Sequence, residues 1–100
     1  MSTGLFAPRA QRELRAAALW IAEENPEAAE ALLAAAIAAA RRLQARPELG
    51  RVRLDLAPER YRFWSLRGFP YLLVYYAEAE SPIILRFVHQ VRDLPSVLEL

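Results

Sequence analysis

One hundred residues, 55% of them apolar and 25% charged, suffice for one small globular domain spanning 1–100 and exclude a disordered chain. With no cysteine and a single histidine, the chain lacks the ligands for a disulfide framework or a structural zinc site. A formal net charge of +1 argues against a dedicated nucleic-acid binder, and because all 13 basic residues are arginine no lysine ammonium is available as an acid or base.

The chain divides into a helical part, residues 1–46, and a strand-forming part, residues 51–90, with no linker between them. Near the N-terminus, a short strand at Thr3 to Phe6 is placed to extend a sheet edge. Pro8 suits the first turn of a helix, and Leu14, Ala17, Ala18 and Ile21 follow on one face, with Trp20 at the rim of that stripe. Asn25, Pro26 and Glu27 supply an N-cap, an N1 proline and a first-turn acid for a second helix running to about Ala45. Its stripe is Ala29, Leu32, Leu33, Ala36, Ala40 and Leu43, and the alanines permit close approach of a neighbouring helix. Two helices with almost no loop between them form an antiparallel hairpin, which Pro47 and Gly50 terminate.

Strand signals follow. Tyr61 to Leu66 is rich in aromatics, Arg67-Gly68 reads as a tight turn, and Phe69 to Tyr76 is a nearly unbroken apolar run of the kind covered on both faces. Pro70 belongs at a strand start because it cannot donate to a ladder. After a polar loop from Glu78 to Pro82, Ile83 to His89 forms another strand. Helices first and strands afterwards give an α+β class, with the N-terminal helical hairpin packed on a three- to four-stranded antiparallel sheet. No apolar h-region develops before Arg9, Arg12 and Glu13, and the Ala-rich run ending at Ala40 is too short to span a bilayer, so the expected location is the cytoplasm and no membrane partner is expected.

His89 is the residue whose charge can change near neutral pH, and it closes the last strand. Read functionally, it is a general acid or base, with Arg62, Arg86 and Arg92 to stabilise a phosphodiester transition state; read structurally, it is an imidazole bonded to the sheet edge or to Arg92-Asp93. Residues 51–67 carry five arginines against Asp55 and Glu59, and strand alternation puts Arg60, Arg62 and Trp64 on one face and Tyr61, Phe63 and Ser65 on the other. That window is either a contact patch or a solvated sheet face. Trp20, Leu14 and Ile21 either line a groove for a partner helix or belong to the hairpin core. The apolar ending with Val97, Leu98 and Leu100 points to a docked tail. GxGxxG, P-loop, HExxH, CxxC and GxSxG motifs are all missing, so neither a cofactor nor a metal is expected.

Four stretches carry a family resemblance: Pro8 to Ala29 with its Trp20-Ile21-Ala22-Glu23-Glu24-Asn25-Pro26 segment, the turn Arg46-Pro47-Glu48-Leu49-Gly50-Arg51, the paired strands of Arg60 to Tyr76, and Ile84 to Leu94 with its His89-x-x-Arg92 tail. In this order and spacing they resemble the ParE/RelE superfamily of toxins from type II toxin-antitoxin systems, most closely ParE. Gln90-Val91 stands where that family more often has a small and a basic residue. The resemblance implies a toxin held in a hetero-oligomer by a ParD-type antitoxin, whose DNA-binding domain represses the operon and whose C-terminal segment folds onto the toxin. It implies inhibition of DNA gyrase by binding, without enzymatic activity and without sequence-specific nucleic-acid binding by the toxin itself. The expected antitoxin contacts are Leu14, Trp20 and Ile21. The expected target contacts are Arg60, Arg62, Trp64, Arg86, His89 and Arg92. The alternatives are a RelE-like ribosome-dependent messenger RNA endoribonuclease using His89, Arg62, Arg86 and Arg92, and a non-toxic member that only binds an antitoxin.

Overall fold

The computed structural model describes residues 4–93, so Thr3 of the expected N-terminal strand and the expected docking of the apolar tail fall outside the described residues. Helix α1 spans Pro8–Ala22 and helix α2 spans Pro26–Ala45. A single 3-10 turn, Pro47–Leu49, follows, and then strands β1 (Tyr61–Ser65), β2 (Tyr71–Tyr76) and β3 (Ile84–His89). None of these helices is long and apolar enough to cross a membrane.

The helices form where the sequence supplies ends as well as a stripe. Proline opens both, and the Asn25 side chain accepts the Ala28 N–H at 3.1 Å to cap α2. α1 buries Ala10, Leu14 and Ala18, and α2 buries Ala29, Leu32, Ala36, Ala40 and Leu43. Two members of the anticipated stripes sit further round. Leu33 is 37% exposed and Trp20 is 65% exposed, because the narrow alanine seam draws the helices together and leaves the flanking large side chains outside it.

The sheet has the order β1-β2-β3, antiparallel throughout, with Phe63 opposite Val74 and Leu73 opposite Phe87. Central β2 is covered on both faces, which is why its sequence is a continuous apolar run rather than an alternating one. Tyr71, Leu73 and Tyr75 join the core beneath the helices, whereas Leu72 and Val74 join Phe63, Val88 and Ala57 in a second cluster packed by Leu56. The apolar signal at Phe69 and Pro70 belongs to the turn before β2, where Gly68 adopts φ +85°. The expected edge strand near Phe6 is reduced to one parallel bridge with Ile84, held by Ile84 N–H to Leu5 C=O at 2.7 Å and Ala7 N–H to Ile84 C=O at 2.8 Å.

Two polar nodes lock the layers together. The Glu13 carboxylate on α1 accepts from Arg86 Nη2 at 2.7 Å, from Arg86 Nε at 3.0 and 3.1 Å, and from the Phe87 backbone N–H at 2.9 Å. Toward the β1 edge of the sheet, the Tyr75 hydroxyl accepts the Gly50 N–H at 2.8 Å and donates to the Pro47 carbonyl, while Arg62 Nη1 donates to the Gly50 carbonyl at 2.8 Å. A Cβ at Gly50 would overlap the Tyr75 hydroxyl, so glycine is required there by close approach.

Replacing Glu13 with Ala strands a buried guanidinium and an edge N–H, and costs about 3 kcal/mol in urea unfolding; Glu13→Leu with Arg86→Met recovers most of it, because no unpaired charge remains. Tyr75→Phe removes an acceptor and a donor at once, a loss of about 1–3 kcal/mol. Burial pushes the Tyr75 phenol above its usual value of 10.0. The folded value exceeds the unfolded one, so this contribution is complete below about pH 10 and declines as pH rises toward the folded value. Unfolding curves at alkaline pH should show that decline in the wild type and lack its Tyr75 component in Tyr75→Phe.

Candidate functional site: the end of the last strand

β3 is an edge strand whose outward N–H groups are met one after another. Ile84 bonds Leu5, Phe87 bonds the Glu13 carboxylate, and His89 donates to Asp93 Oδ2 at 2.9 Å. Two carboxylates and a short bridge thus occupy positions that another strand would otherwise use. The Asp93 N–H returns to the His89 carbonyl at 3.1 Å, closing a turn over residues 89–93.

Inside that turn, His89 Nδ1 accepts from the Val91 N–H at 3.1 Å and the Arg92 N–H at 3.2 Å. Backbone N–H groups can only donate, so Nδ1 presents its lone pair and the neutral ring carries its proton on Nε2. His89 is therefore built into the turn. Its outward nitrogen is a hydrogen-bond donor, and a proton-accepting role at Nε2 would require the tautomer that breaks both backbone bonds. The imidazole also meets the edge of Tyr71 at 5.4 Å between centroids, and Tyr71 stacks on Phe87 at 4.8 Å.

Beside the turn lies a shallow hollow of about 280 Å³ floored by Tyr71 and Phe87 and walled by Ala17, Trp20 and Arg92. Trp20 stands clear of the core here, and Val91, 73% exposed, crowns the turn. On the opposite flank of α1, Leu14 and Ala18 floor a larger groove between the two helices, of about 600 Å³. Leu14 and Trp20 therefore serve different surfaces, and Ile21 is half-buried against the main core.

The four residues of the nuclease arrangement do not converge. His89 and Arg92 share the turn, but Arg86 is 3% exposed and engaged by Glu13. Arg62 is opposite Tyr75 on β1, whereas His89 is opposite Tyr71 on β3, at the other end of β2 and across the sheet. The arginine–aromatic window is likewise divided. Arg60 lies over the Tyr61 ring at 4.9 Å. Trp64 is half-buried against the helical core, with the Arg42 guanidinium 5.6 Å from its ring. No group of three His, Cys, Asp or Glu side chains among the described residues could hold a metal ion.

Glu13 is the residue that sequence reading passed over. Its one signal was its place beside Leu14 on the buried side of a helix otherwise bearing only arginine charges, which marks an acid with a partner elsewhere in the fold.

A family model described as the ParE toxin of the type II toxin-antitoxin system parDE matches residues 5–94, nearly the whole chain. Among curated proteins, none matches it.

If His89 organises the turn, His89→Ala should leave global stability nearly intact while the Val91 and Arg92 amides lose protection in hydrogen exchange. Unchanged protection of both amides would remove the histidine from that role.

Proposed function

The chain belongs to the ParE toxin family of type II toxin-antitoxin systems, and from that premise we propose that it is a cytoplasmic toxin that inhibits DNA gyrase by binding and is silenced by a ParD-type antitoxin. The geometry of His89 is the observation that favours binding over catalysis. Its Nδ1 lone pair is engaged by two backbone donors, and Arg62 and Arg86 are committed elsewhere. A ribonuclease needs a base and converging cations at one phosphodiester. The surface instead offers an exposed indole and an arginine around a stacked aromatic floor, the side-chain types that dominate protein–protein hot spots.

In this reading the turn at residues 89–93 and the Trp20 hollow form the target contact, with Arg92 supplying charge and Glu13 and Arg86 supporting the strand from behind. The antitoxin neutralises by covering the same hollow. Arg60, Arg62 and Trp64 lie at the β1 edge, across the sheet from this turn, and contribute less.

Purified protein should inhibit gyrase supercoiling stoichiometrically and accumulate cleaved DNA, with antitoxin reversing both effects. No effect on gyrase, together with cleavage of ribosome-bound messenger RNA, would replace this reading with the nuclease one. His89→Ala should retain measurable gyrase inhibition, whereas a nuclease would lose nearly all activity. Trp20→Ala, folded, should weaken antitoxin binding by about 2 kcal/mol in calorimetry; unchanged affinity would take Trp20 out of that interface.

A further inference from the structure

The backbone of the turn at residues 89–93 depends on one side chain. Four of its N–H groups are bonded within the turn. The His89 N–H goes to the Asp93 carboxylate and the Asp93 N–H to the His89 carbonyl. The other two, from Val91 and Arg92, share a single acceptor, the Nδ1 lone pair of His89. Gln90 is tied elsewhere, its N–H bonded to the Pro70 carbonyl at 2.9 Å. The sheet side therefore anchors the start of the turn, and the imidazole holds its middle.

Unlike a carbonyl oxygen, an imidazole lone pair takes a proton near neutral pH. The imidazolium carries N–H groups at both nitrogens and accepts at neither. A proton on Nδ1 thus replaces two attractive contacts with one donor facing two donors. The ring is half-buried, so a proton reaches it without unfolding of the chain. The charged and titratable groups around it offer Nδ1–H no acceptor in place. From α1, the Glu13 carboxylate is held by Arg86 and the Phe87 N–H. From β2, Tyr71 presents its ring, 5.4 Å away between centroids. In the turn itself, Arg92 opposes a second positive charge and Asp93 favours one, but Asp93 Oδ2 already accepts the His89 N–H. An imidazolium that swings to Asp93 leaves both amides behind.

We propose that the turn is a proton-operated latch, closed while His89 is neutral and opened when Nδ1 takes a proton. Closing the turn releases that proton. The closed form is therefore favoured above the range in which imidazole ordinarily titrates, around pH 6.5, and is lost as pH falls through it. Opening withdraws Val91 and Arg92 from beside the Trp20 hollow, where Arg92 forms a wall. The consequence for binding rests on the function proposed above: the target contact is assembled at neutral and alkaline pH and dismantled by acid.

NMR on the full chain from about pH 8 to about pH 5.5 tests the latch with no partner present. The imidazole nitrogen signals should place the proton on Nε2 at the alkaline end. As the ring takes its second proton, the Val91 and Arg92 amides should shift and lose exchange protection on the same curve, while Gln90 keeps its bond to Pro70. His89→Asn, whose side-chain carbonyl takes no proton in this range, should abolish the pH dependence at both amides, and Asp93→Asn should retain it. Amides that stay protected while the ring titrates overturn the proposal. So does a pH dependence that survives His89→Asn or disappears in Asp93→Asn. Affinity for gyrase between the same limits should fall about tenfold for the wild type, as two lost backbone hydrogen bonds imply, and hold level for His89→Asn. Equal wild-type affinity at both limits overturns the coupling to the target. Absence of gyrase binding at either pH refutes the function proposed above and leaves the amide curves to decide the latch.

Discussion

One carboxylate ties the helical layer to the sheet. Glu13 engages a guanidinium and a backbone N–H from consecutive residues of β3, 73 and 74 positions away in sequence. Charge-assisted bonds of this length are strong, and the pair is largely shielded from water. Their value lies in register more than in net stability, since a buried ion pair is often no better than well-packed apolar groups. Glu13 fixes where α1 sits along β3. That placement sets Ala17 and Trp20 beside Phe87, Tyr71 and the turn that follows the strand.

From this constraint the rest of the architecture is consistent. With α1 anchored on the outer edge of the sheet, the alanine seam brings α2 close and the large flanking side chains remain outside. The chain leaves α2 through Pro47 and Gly50, where the Tyr75 hydroxyl and the Arg62 guanidinium hold the turn and position the crossing to β1. Both arginines are engaged within the fold. Arg62 and Arg86 read as phosphate-binding groups in the sequence, and the fold uses each to satisfy a polar group that packing would leave unpaired.

The fold was largely legible because its signals are local. Pro8, Asn25 and Pro26 mark helix starts, the 69–76 run marks a strand covered on both faces, and Arg67-Gly68 marks a turn. The site was less legible because it depends on long-range partners. Whether His89 is a base or a scaffold depends on which nitrogen faces the 91 and 92 amides, a matter of turn geometry. Whether Arg86 is free depends on Glu13, more than seventy residues away. Trp20 illustrates an intermediate case: the helical period alone puts it on another side of α1 from Leu14, but which surface that side meets is decided by the packing of α1 on β3.

Membership in the ParE toxin family and the hollow beside the last strand lead to one central proposal, that residues 89–93 and the Trp20 hollow bind gyrase. Hydrogen-exchange footprinting of the protein bound to gyrase addresses it most directly. The account predicts new protection at Val91, Arg92 and the backbone around Trp20, with the β1 side of the sheet unchanged. A footprint confined to the β1 side, or no protection at any of these positions in a formed complex, would contradict it.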